Sequence, residues 1–245
     1  MNAHKESFLS LEDLGRVVPS YHATFEFSGN FINENHAYLE TCPTTGGILV
    51  ELRTNGSSGS VINGWLRRED ALKIYEMAYL VAGDILELGT YHGLSTFILS
   101  QANGDSPHKN HIYSVELNPE ANAVAQQNLE LAGLRDGVTL LLTDAVTAIR
   151  EFAGQGKKFE FVFVDHSHSY EAVFNVCKEL DKIMLPGGFC LFHDFNDGRN
   201  RVDDDDYGVY QGVMEGLNPR EFQFYGIYGC AALYRFCKSP QSEVE

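Results

Sequence analysis

The strongest constraint on the fold of this chain is an alternation of short apolar segments with helical patterns, which begins near residue 64. Apolar segments of strand length recur at residues 84–88, 111–116, 138–142, 159–165 and 189–193. Helical patterns accompany them at residues 68–80, 95–101, 119–132, 145–152, 170–184 and 207–217. Repeats of this kind predict parallel strands joined by crossover helices. Segments 222–228 and 231–236 meet at Gly229 and predict a closing hairpin, so we expect an α/β, doubly wound, seven-stranded and mostly parallel sheet with one late antiparallel strand.

The first 60 residues lack this regularity. Ala23–Phe27 and Gly47–Leu52 alternate as short strands do, and Thr54–Ser60 is rich in turn-forming residues. We therefore predict an N-terminal extension at residues 1–63, which serves as a cap over a ligand or as an oligomer contact. The main domain is expected at residues 64–238, followed by a disordered tail at 239–245.

The charge balance narrows the choice of partners. The chain holds 18 Lys and Arg against 34 Asp and Glu, a formal net charge of -16. Binding to a nucleic-acid backbone or an anionic membrane needs clustered positive charge, so neither is expected as a partner. No segment approaches the about 20 apolar residues that span a bilayer. The N-terminus lacks the apolar core of a signal peptide, and the five Cys form no CxxC pair. We expect a cytoplasmic protein with reduced cysteines and a small-molecule ligand.

Polar residues follow the apolar segments where the strands are predicted to end, and ligands of doubly wound sheets bind at that edge. The first segment leads into a turn in which Gly89 and Gly93 allow a ligand to approach the backbone closely. Packing alone explains such a GxxxG pair as readily. The bulky Tyr91 and His92 lie between the glycines and disfavour a dinucleotide pyrophosphate, whereas the amino-acid carboxylate of a sulfonium ligand needs less room.

The second and third segments end on carboxylates. Glu116 is placed to accept the two hydroxyls of a ribose, or it is a surface glutamate. Asp144 is placed to accept the exocyclic amine of adenine, and it is equally suited to cap the next helix. These two roles of Asp144 are compatible with each other.

The fourth and fifth segments deliver the residues with the most chemistry. Asp165–Tyr170 combines an acid, two imidazoles and a phenol, and His193 and Asp194 follow the next segment. Asp165 and Asp194 would lie on neighbouring strand ends, close enough to share Mg²⁺. Arg199 or Arg201 could pair with these carboxylates instead. The acidic run at residues 203–206 is typical of a solvated loop.

With these residues in place, residues 64–236 resemble a class I, Rossmann-like S-adenosylmethionine (SAM)-dependent methyltransferase. Glu87–Ser95 is similar to the first motif of catechol O-methyltransferases, and Asp165-His166 resembles their metal-ligand aspartate and the adenine contact after it. The Gly64-Trp65-Leu66 segment, the Asp165–Tyr170 pattern and residues 185–194 resemble the family of macrocin-type sugar O-methyltransferases and cephalosporin hydroxylase-like proteins.

The resemblance implies roles for individual residues. The methionine part of SAM would be held by Gly89, Tyr91, Gly93 and Ser95, the ribose by Glu116, and the adenine by Asp144, Ala145 and His166. The cofactor site is expected to include also Glu87, Thr90, Thr96, Asn118 and Asp165. Asp165 and Asp194 would bind Mg²⁺. The catechol enzymes have an asparagine where this chain has Phe195, so His193 or Asn196 would have to supply the missing metal ligand.

His168 falls where the catechol enzymes place a catalytic lysine, and an imidazole can accept a proton near neutral pH. We therefore predict O-methylation of a small-molecule hydroxyl, on a sugar or an aromatic secondary metabolite. His168 and Asp165 are the catalytic residues in this hypothesis, with assistance from Mg²⁺. N-methylation of a small amine, a non-catalytic SAM-binding protein and an NAD-dependent oxidoreductase remain alternatives. A homo-oligomer is compatible with the sequence.

Overall fold

The computed structural model describes residues 46–52, 60–202 and 207–237. The predicted strand at Ala23–Phe27, most of the turn-rich segment before Ser60, the acidic run at 203–206 and the tail at 239–245 lie outside the described residues. Among the residues described, no helix is both long and apolar enough to cross a lipid bilayer.

The main domain alternates strands and helices as the sequence predicts. A small pair of strands comes first, β1 (Glu51–Leu52) and β2 (Ser60–Val61). The remaining strands are β3 (Ile85–Leu88), β4 (Ile112–Glu116), β5 (Val138–Leu142), β6 (Phe159–Val164), β7 (Met184–Phe192), β8 (Phe222–Tyr228) and β9 (Ala231–Phe236). The helices are α1 (Arg68–Leu80), α2 (Leu94–Asp105), α3 (Pro119–Leu131), α4 (Ala145–Gly154), α5 (Tyr170–Cys177) and α6 (Val209–Gly216).

The main sheet of the described residues has seven strands in the order β5-β4-β3-β6-β7-β9-β8. Strands β3 to β7 pair in parallel, while β9 runs antiparallel to both of its neighbours, β7 and β8. The predicted fold class is therefore confirmed, including the single late antiparallel strand. The strand order reverses direction at β3, which places the carboxyl ends of β3, β4 and β6 around one crevice.

The two faces of the sheet are covered by different helices. Along β6, Phe161 and Phe163 pack into the core under α1 and α2, whereas Val162 and Val164 pack into the core under α4, α5 and α6. Successive side chains of a strand point to opposite faces, so a continuously apolar strand belongs in the middle of such a sandwich. β6 is therefore fixed in register from both sides, and so is the residue that follows it.

One predicted boundary is wrong. The helical pattern at 170–184 predicts a single helix, but α5 ends at Cys177, a 3₁₀ turn follows at Leu180–Lys182, and β7 already begins at Met184. The register with β6 shifts between its first two pairs, so residues 185–188 form an irregular extension of the strand. Gly188 permits this, because a Cβ there would lie 2.7 Å from the carbonyl oxygen of Glu160.

Candidate active site

A cleft of about 1190 Å³ opens at the carboxyl ends of the parallel strands. Predicted site residues from all five of them line it, namely Gly89, Tyr91, Glu116, Asn118, Asp144, Ala145, Asp165, His166, His168, His193 and Asp194. The cleft is also lined by residues outside the predicted set, among them Asn63, Leu117, Val146, Asn175 and Val176. Leu117 and Val146 directly follow predicted residues, so their position in the chain could have indicated them. Asn63 and Asn175 carry no comparable signal.

The turn after β3 forms one wall of the cleft. Gly89 has a φ of +105°, and a Cβ on it would lie 2.0 Å from the carbonyl oxygen of Asp165, so no other residue fits there. Gly93, with a φ of +87°, precedes α2. Tyr91 lies between the glycines at a φ of +46°, and its half-exposed ring stacks on that of His92. The turn therefore brings bare backbone to the cleft next to an aromatic surface.

Glu116 at the end of β4 is held by the neighbouring backbone. The Tyr91 N–H donates to its Oε2 at 2.7 Å, and the Asn118 N–H donates to its Oε1 at 2.8 Å. Asn118 caps α3 by accepting from Glu120 and Ala121, as its place before a proline predicts. The carboxylate of Glu116 thus lines the cleft in a fixed orientation.

Asp144 shows the capping role that the sequence left open. Its Oδ1 accepts a hydrogen bond from the Thr147 N–H at 2.9 Å, at the first turn of α4, and the residue also lines the cleft. Capping uses one of its carboxylate oxygens. The capping role is therefore confirmed, while the contact with adenine stays a prediction.

Five predicted cofactor residues lie behind the turn and do not line the cleft: Glu87, Thr90, Gly93, Ser95 and Thr96. Glu87 is fully buried and accepts hydrogen bonds from Thr96 Oγ1 at 2.5 Å and from the Ser114 hydroxyl. The Thr90 and Ser114 hydroxyls are 2.5 Å apart. Burial raises the pKa of Glu87 to about 7. This arrangement favours a supporting role for these side chains, beneath the backbone that faces the cleft.

His166 presents an unused polar atom at the cleft. Its Nε2 is buried and has no hydrogen-bond partner, and burial lowers the pKa of the imidazole to about 4. The ring is therefore neutral at physiological pH. A buried nitrogen without a partner is energetically unfavourable, so a ligand that supplies one would gain from the contact.

Two carboxylates and an imidazole meet at the far end of the cleft. Asp165 follows β6, and Asp194 follows β7 with a left-handed φ of +58°. His168 Nε2 lies 3.1 Å from Asp194 Oδ2 and 3.8 Å from Asp165 Oδ1. One ligand atom from each of the three residues falls within 4.8 Å of the others. Aspartate is one of the few non-glycine residues that adopt this conformation readily.

The carboxylates and imidazoles of this cluster each stabilise the charged form of the other. The pairing of His168 with Asp165 and Asp194 outweighs burial and raises the pKa of its imidazole to about 9. Burial opposes ionisation of Asp165, but the attraction and hydrogen bond of His193 and the pairing with His168 lower its pKa to about 2. Arg199 Nη2 approaches Asp194 Oδ1 at 3.6 Å, as one of the alternatives from the sequence predicts. Arg199 also pairs with Asp197 at 2.9 Å and covers the ring of Tyr207.

The residues considered for the missing metal ligand occupy different places. His193 is buried at the floor of the cleft, with Nδ1 3.1 Å from Asp165 Oδ1 and 3.5 Å from Asp194 Oδ1. Asn196 does not line the cleft, and its N–H donates to the Cys230 carbonyl. Phe195 packs against Tyr210 and Tyr234. Of these residues, the geometry favours His193 beside the two carboxylates.

Comparison with known proteins agrees with this arrangement. Residues 86–195 match a family model described as a methyltransferase domain. A catechol O-methyltransferase of Niastella koreensis is 33% identical over 85 residues, which cover 34% of this chain and 37% of that protein. The catechol O-methyltransferase of Sus scrofa is 35% identical over 88 residues, which cover 34% of this chain and 44% of that protein. The matched segments thus span less than half the length of these relatives.

Solved structures show the same fold. The O-methyltransferase TomG from Streptomyces achromogenes, solved in complex with SAM, has a TM-score of 0.58 at 19% identity, over 71% of this chain and 82% of its own. Residues 86–195 thus match a methyltransferase domain, and the whole sheet has a fold similar to that of the O-methyltransferase TomG.

Proposed function

We propose that the cleft binds SAM and that the chain transfers its methyl group to a hydroxyl oxygen of a small molecule, a sugar or an aromatic secondary metabolite. The observation that carries this proposal is the position of His168. Its imidazole lies beside two carboxylates at one end of a cleft whose other wall suits the cofactor. The catechol O-methyltransferase relatives and the SAM complex of TomG support the choice of donor and of oxygen as acceptor.

The wall near β3 and β4 fits SAM in three respects. The Gly89 turn offers backbone where a Cβ has no room. The fixed carboxylate of Glu116 suits the two ribose hydroxyls. The unpartnered Nε2 of His166 and the carboxylate of Asp144 suit the adenine, and both residues line the cleft together with Ala145.

The chain has to align the reactants and to remove a proton. The methyl group of a sulfonium is already electrophilic, so the C–S bond breaks as the new C–O bond forms and S-adenosylhomocysteine leaves. The acceptor proton passes to the neutral form of His168. Because both carboxylates stabilise the imidazolium, only about 1% of His168 is neutral at pH 7 in this arrangement. A bound group that neutralises the carboxylates would release more of the base.

A divalent cation is a suitable neutralising group. Carboxylate oxygens are the ligands that Mg²⁺ prefers, and Asp165 and Asp194 supply them at adjacent strand ends. Bound there, the cation would lower the pKa of an acceptor hydroxyl. His168 cannot ligate the metal and act as base at the same time. His193 Nδ1 lies close to both carboxylates. A cation bound by Asp165, Asp194 and His193 would displace the proton from this nitrogen and leave His168 as the base.

The acceptor would enter over an aromatic mouth. Trp65 is 45% exposed and lines the cleft together with Asn63, Tyr91 and Arg199. Asn63 donates a hydrogen bond to the Tyr91 hydroxyl at 3.2 Å, which joins the two sides of the opening. Flat apolar rings and sugar faces both pack on such surfaces. We propose that residues 1–63 contribute either a cap over this opening or an oligomer contact, and that the chain acts in the cytoplasm.

The test compares His168→Ala and His168→Gln with the wild type. Binding of S-adenosylhomocysteine is measured by calorimetry, and turnover is measured as its release from SAM with panels of catechols, sugars and amines. We expect both variants to lose about 100-fold or more in rate while their affinity changes less than about twofold. His108→Ala, at an exposed loop position, serves as the control.

Three results would contradict the proposal. An unchanged rate constant in both His168 variants would exclude the base. Absence of binding to the wild type would exclude the cofactor site. Methylation of amines in place of hydroxyls would replace O-methylation by N-methylation at the same cleft.

A further inference from the structure

Behind the floor of the cleft, a buried aspartate contacts a buried histidine that in turn contacts Asp165. We infer that Asp70 is a positioning residue that acts through His193 to hold the carboxylate of Asp165 in its working orientation. The inference deepens the proposed function and rests on it, since Asp165 is proposed there to bind the cation beside the acceptor hydroxyl. Asp70 belongs to α1, far in sequence from the strand ends that carry the site.

Asp70 ties three segments of the chain together. It is completely buried in the first turn of α1, and its Oδ2 accepts the Arg67 N–H at 3.0 Å. Its Oδ1 accepts the N–H groups of Cys230 at 2.8 Å and of Ala231 at 3.2 Å, at the turn between β8 and β9. Gly229 in that turn fits closely, because a Cβ there would lie 2.3 Å from Asp70 Oδ1. These hydrogen bonds of Asp70 are explained by its role as a cap for the start of α1 and for the hairpin turn.

Capping does not account for the imidazole on the other side of the carboxylate. His193 Nε2 lies 3.5 Å from Asp70 Oδ2 and 3.3 Å from the Cys230 thiol, which itself donates to Asp70 Oδ2 at 3.3 Å. The opposite ring nitrogen, Nδ1, lies 3.1 Å from Asp165 Oδ1. The side chain of His193 is 3% exposed, so the ring is held by protein contacts on both edges.

Asp165 depends on this ring more than on its other neighbour. His168 is 3.8 Å from the same Oδ1, which is beyond hydrogen-bond range, while His193 is within it. The orientation of an imidazole is set by the partner of its second nitrogen. Asp70, with the thiol of Cys230 beside it, therefore fixes the face that His193 presents to Asp165.

The test is a double-mutant cycle of Asp70→Asn and His193→Gln in the full chain. Asparagine keeps an oxygen for the Cys230 and Ala231 N–H groups but loses the charge that faces His193. We expect each single variant to lower the turnover number about tenfold or more, with affinity for S-adenosylhomocysteine within about twofold. Because Asp70 acts through His193, the double variant should be no slower than His193→Gln alone. Rate losses that multiply would overturn the inference.

Leu72→Ala is the matched control, because it weakens the packing of the same helix without touching this chain of contacts. It should lower the unfolding temperature and leave the turnover number unchanged. A loss of rate comparable with that of Asp70→Asn would show that α1 acts through stability alone and would overturn the positioning role.

A readout that needs no turnover separates this inference from the proposed function. In protein labelled with ¹⁵N-histidine and bound to S-adenosylhomocysteine, the ring signals of His168 are assigned with His168→Gln. Asp70→Asn should shift them, although no bond joins the two residues, while Leu72→Ala should not. If Asp70→Asn does not fold, Cys230→Ala removes the thiol that touches both Asp70 and His193 and leaves the backbone bonds of Asp70. Unshifted His168 signals would overturn the inference even in a protein that methylates nothing.

Discussion

Replacing Gly89 by alanine tests how closely the ends of β3 and β6 must approach. A Cβ at position 89 would lie 2.0 Å from the carbonyl oxygen of Asp165, 2.5 Å from its carbonyl carbon and 2.8 Å from the His166 nitrogen. All three are backbone atoms of the segment that carries the candidate base and the metal ligand. A flexible side chain could turn away, but backbone of a central strand can yield only if the strands separate.

The expected loss of stability combines two terms. An alanine at a φ of +105° costs about 1–3 kcal/mol in backbone strain. Forcing an extra methyl group into a packed site costs about 1–3 kcal/mol more. The sum, about 2–6 kcal/mol, is a large part of the about 5–15 kcal/mol that stabilises a folded protein. For a chain of this length it corresponds to a fall in unfolding temperature of roughly 5–20 °C.

The assay is thermal unfolding with and without S-adenosylhomocysteine, together with calorimetric affinity. Gly104→Ala is the control, since Gly104 lies near the end of α2 with nothing within 4 Å of an added Cβ. That variant should keep its affinity and change stability by less than about 1 kcal/mol. If Gly89→Ala unfolds at the wild-type temperature and binds the ligand as well, the close approach of the two strand ends has no bearing on the site.

Two further predictions concern the cluster at the end of the cleft. The pKa of His168 is raised from 6.5 to about 9, so the stability that its ion pair contributes is fully present below pH 6.5 and is lost as the pH rises through 9. In EDTA, the unfolding temperature of the wild type should therefore fall over this pH window, and that of His168→Gln should not. Parallel curves for the two proteins would contradict the ion pair. Asp194→Asn removes the charge but keeps a residue that tolerates the left-handed φ of +58°. It should weaken Mn²⁺ binding, measured by electron paramagnetic resonance, about tenfold or more, whereas Asp197→Asn should not. Equal Mn²⁺ affinities of the wild type and both variants would exclude a metal site at Asp194.

The parts of the fold that the sequence predicts are those in which local pattern and tertiary environment agree. The Phe161–Val164 segment is apolar throughout, as a strand buried on both faces requires, and it lies in the middle of the sheet. The start of α3 at Asn118-Pro119 depends on local capping chemistry and can likewise be predicted from the sequence. The helix predicted at 170–184 fails because Leu180 and Ile183 are apolar for tertiary packing in a 3₁₀ turn, and the helical period does not distinguish the two.

The site divides in a similar way. Residues at strand ends are predictable, because topology alone gathers the ends of parallel strands at one edge; this holds for Glu116, Asp165 and Asp194. The contact of Asp70 with His193 is not predictable from one sequence. It joins positions more than 120 residues apart through a hairpin turn whose exact position no local pattern specifies, and Asp70 alone has the appearance of an ordinary acidic residue in the first turn of a helix.

Three imidazoles at one edge of the sheet show why composition could not assign their roles. His166 and His168 are two residues apart, yet burial holds the pKa of His166 near 4 while two carboxylates raise that of His168 to about 9. Burial opposes the charge of His193, but Asp165 and further carboxylates raise its pKa well above the usual value. At neutral pH the edge therefore offers one imidazole nitrogen without a partner, together with cations that hold two carboxylates in place. A ligand that spans the cleft would contact both kinds of group. SAM has an adenine at one end and a reacting sulfonium at the other, so it is a ligand that can use this difference.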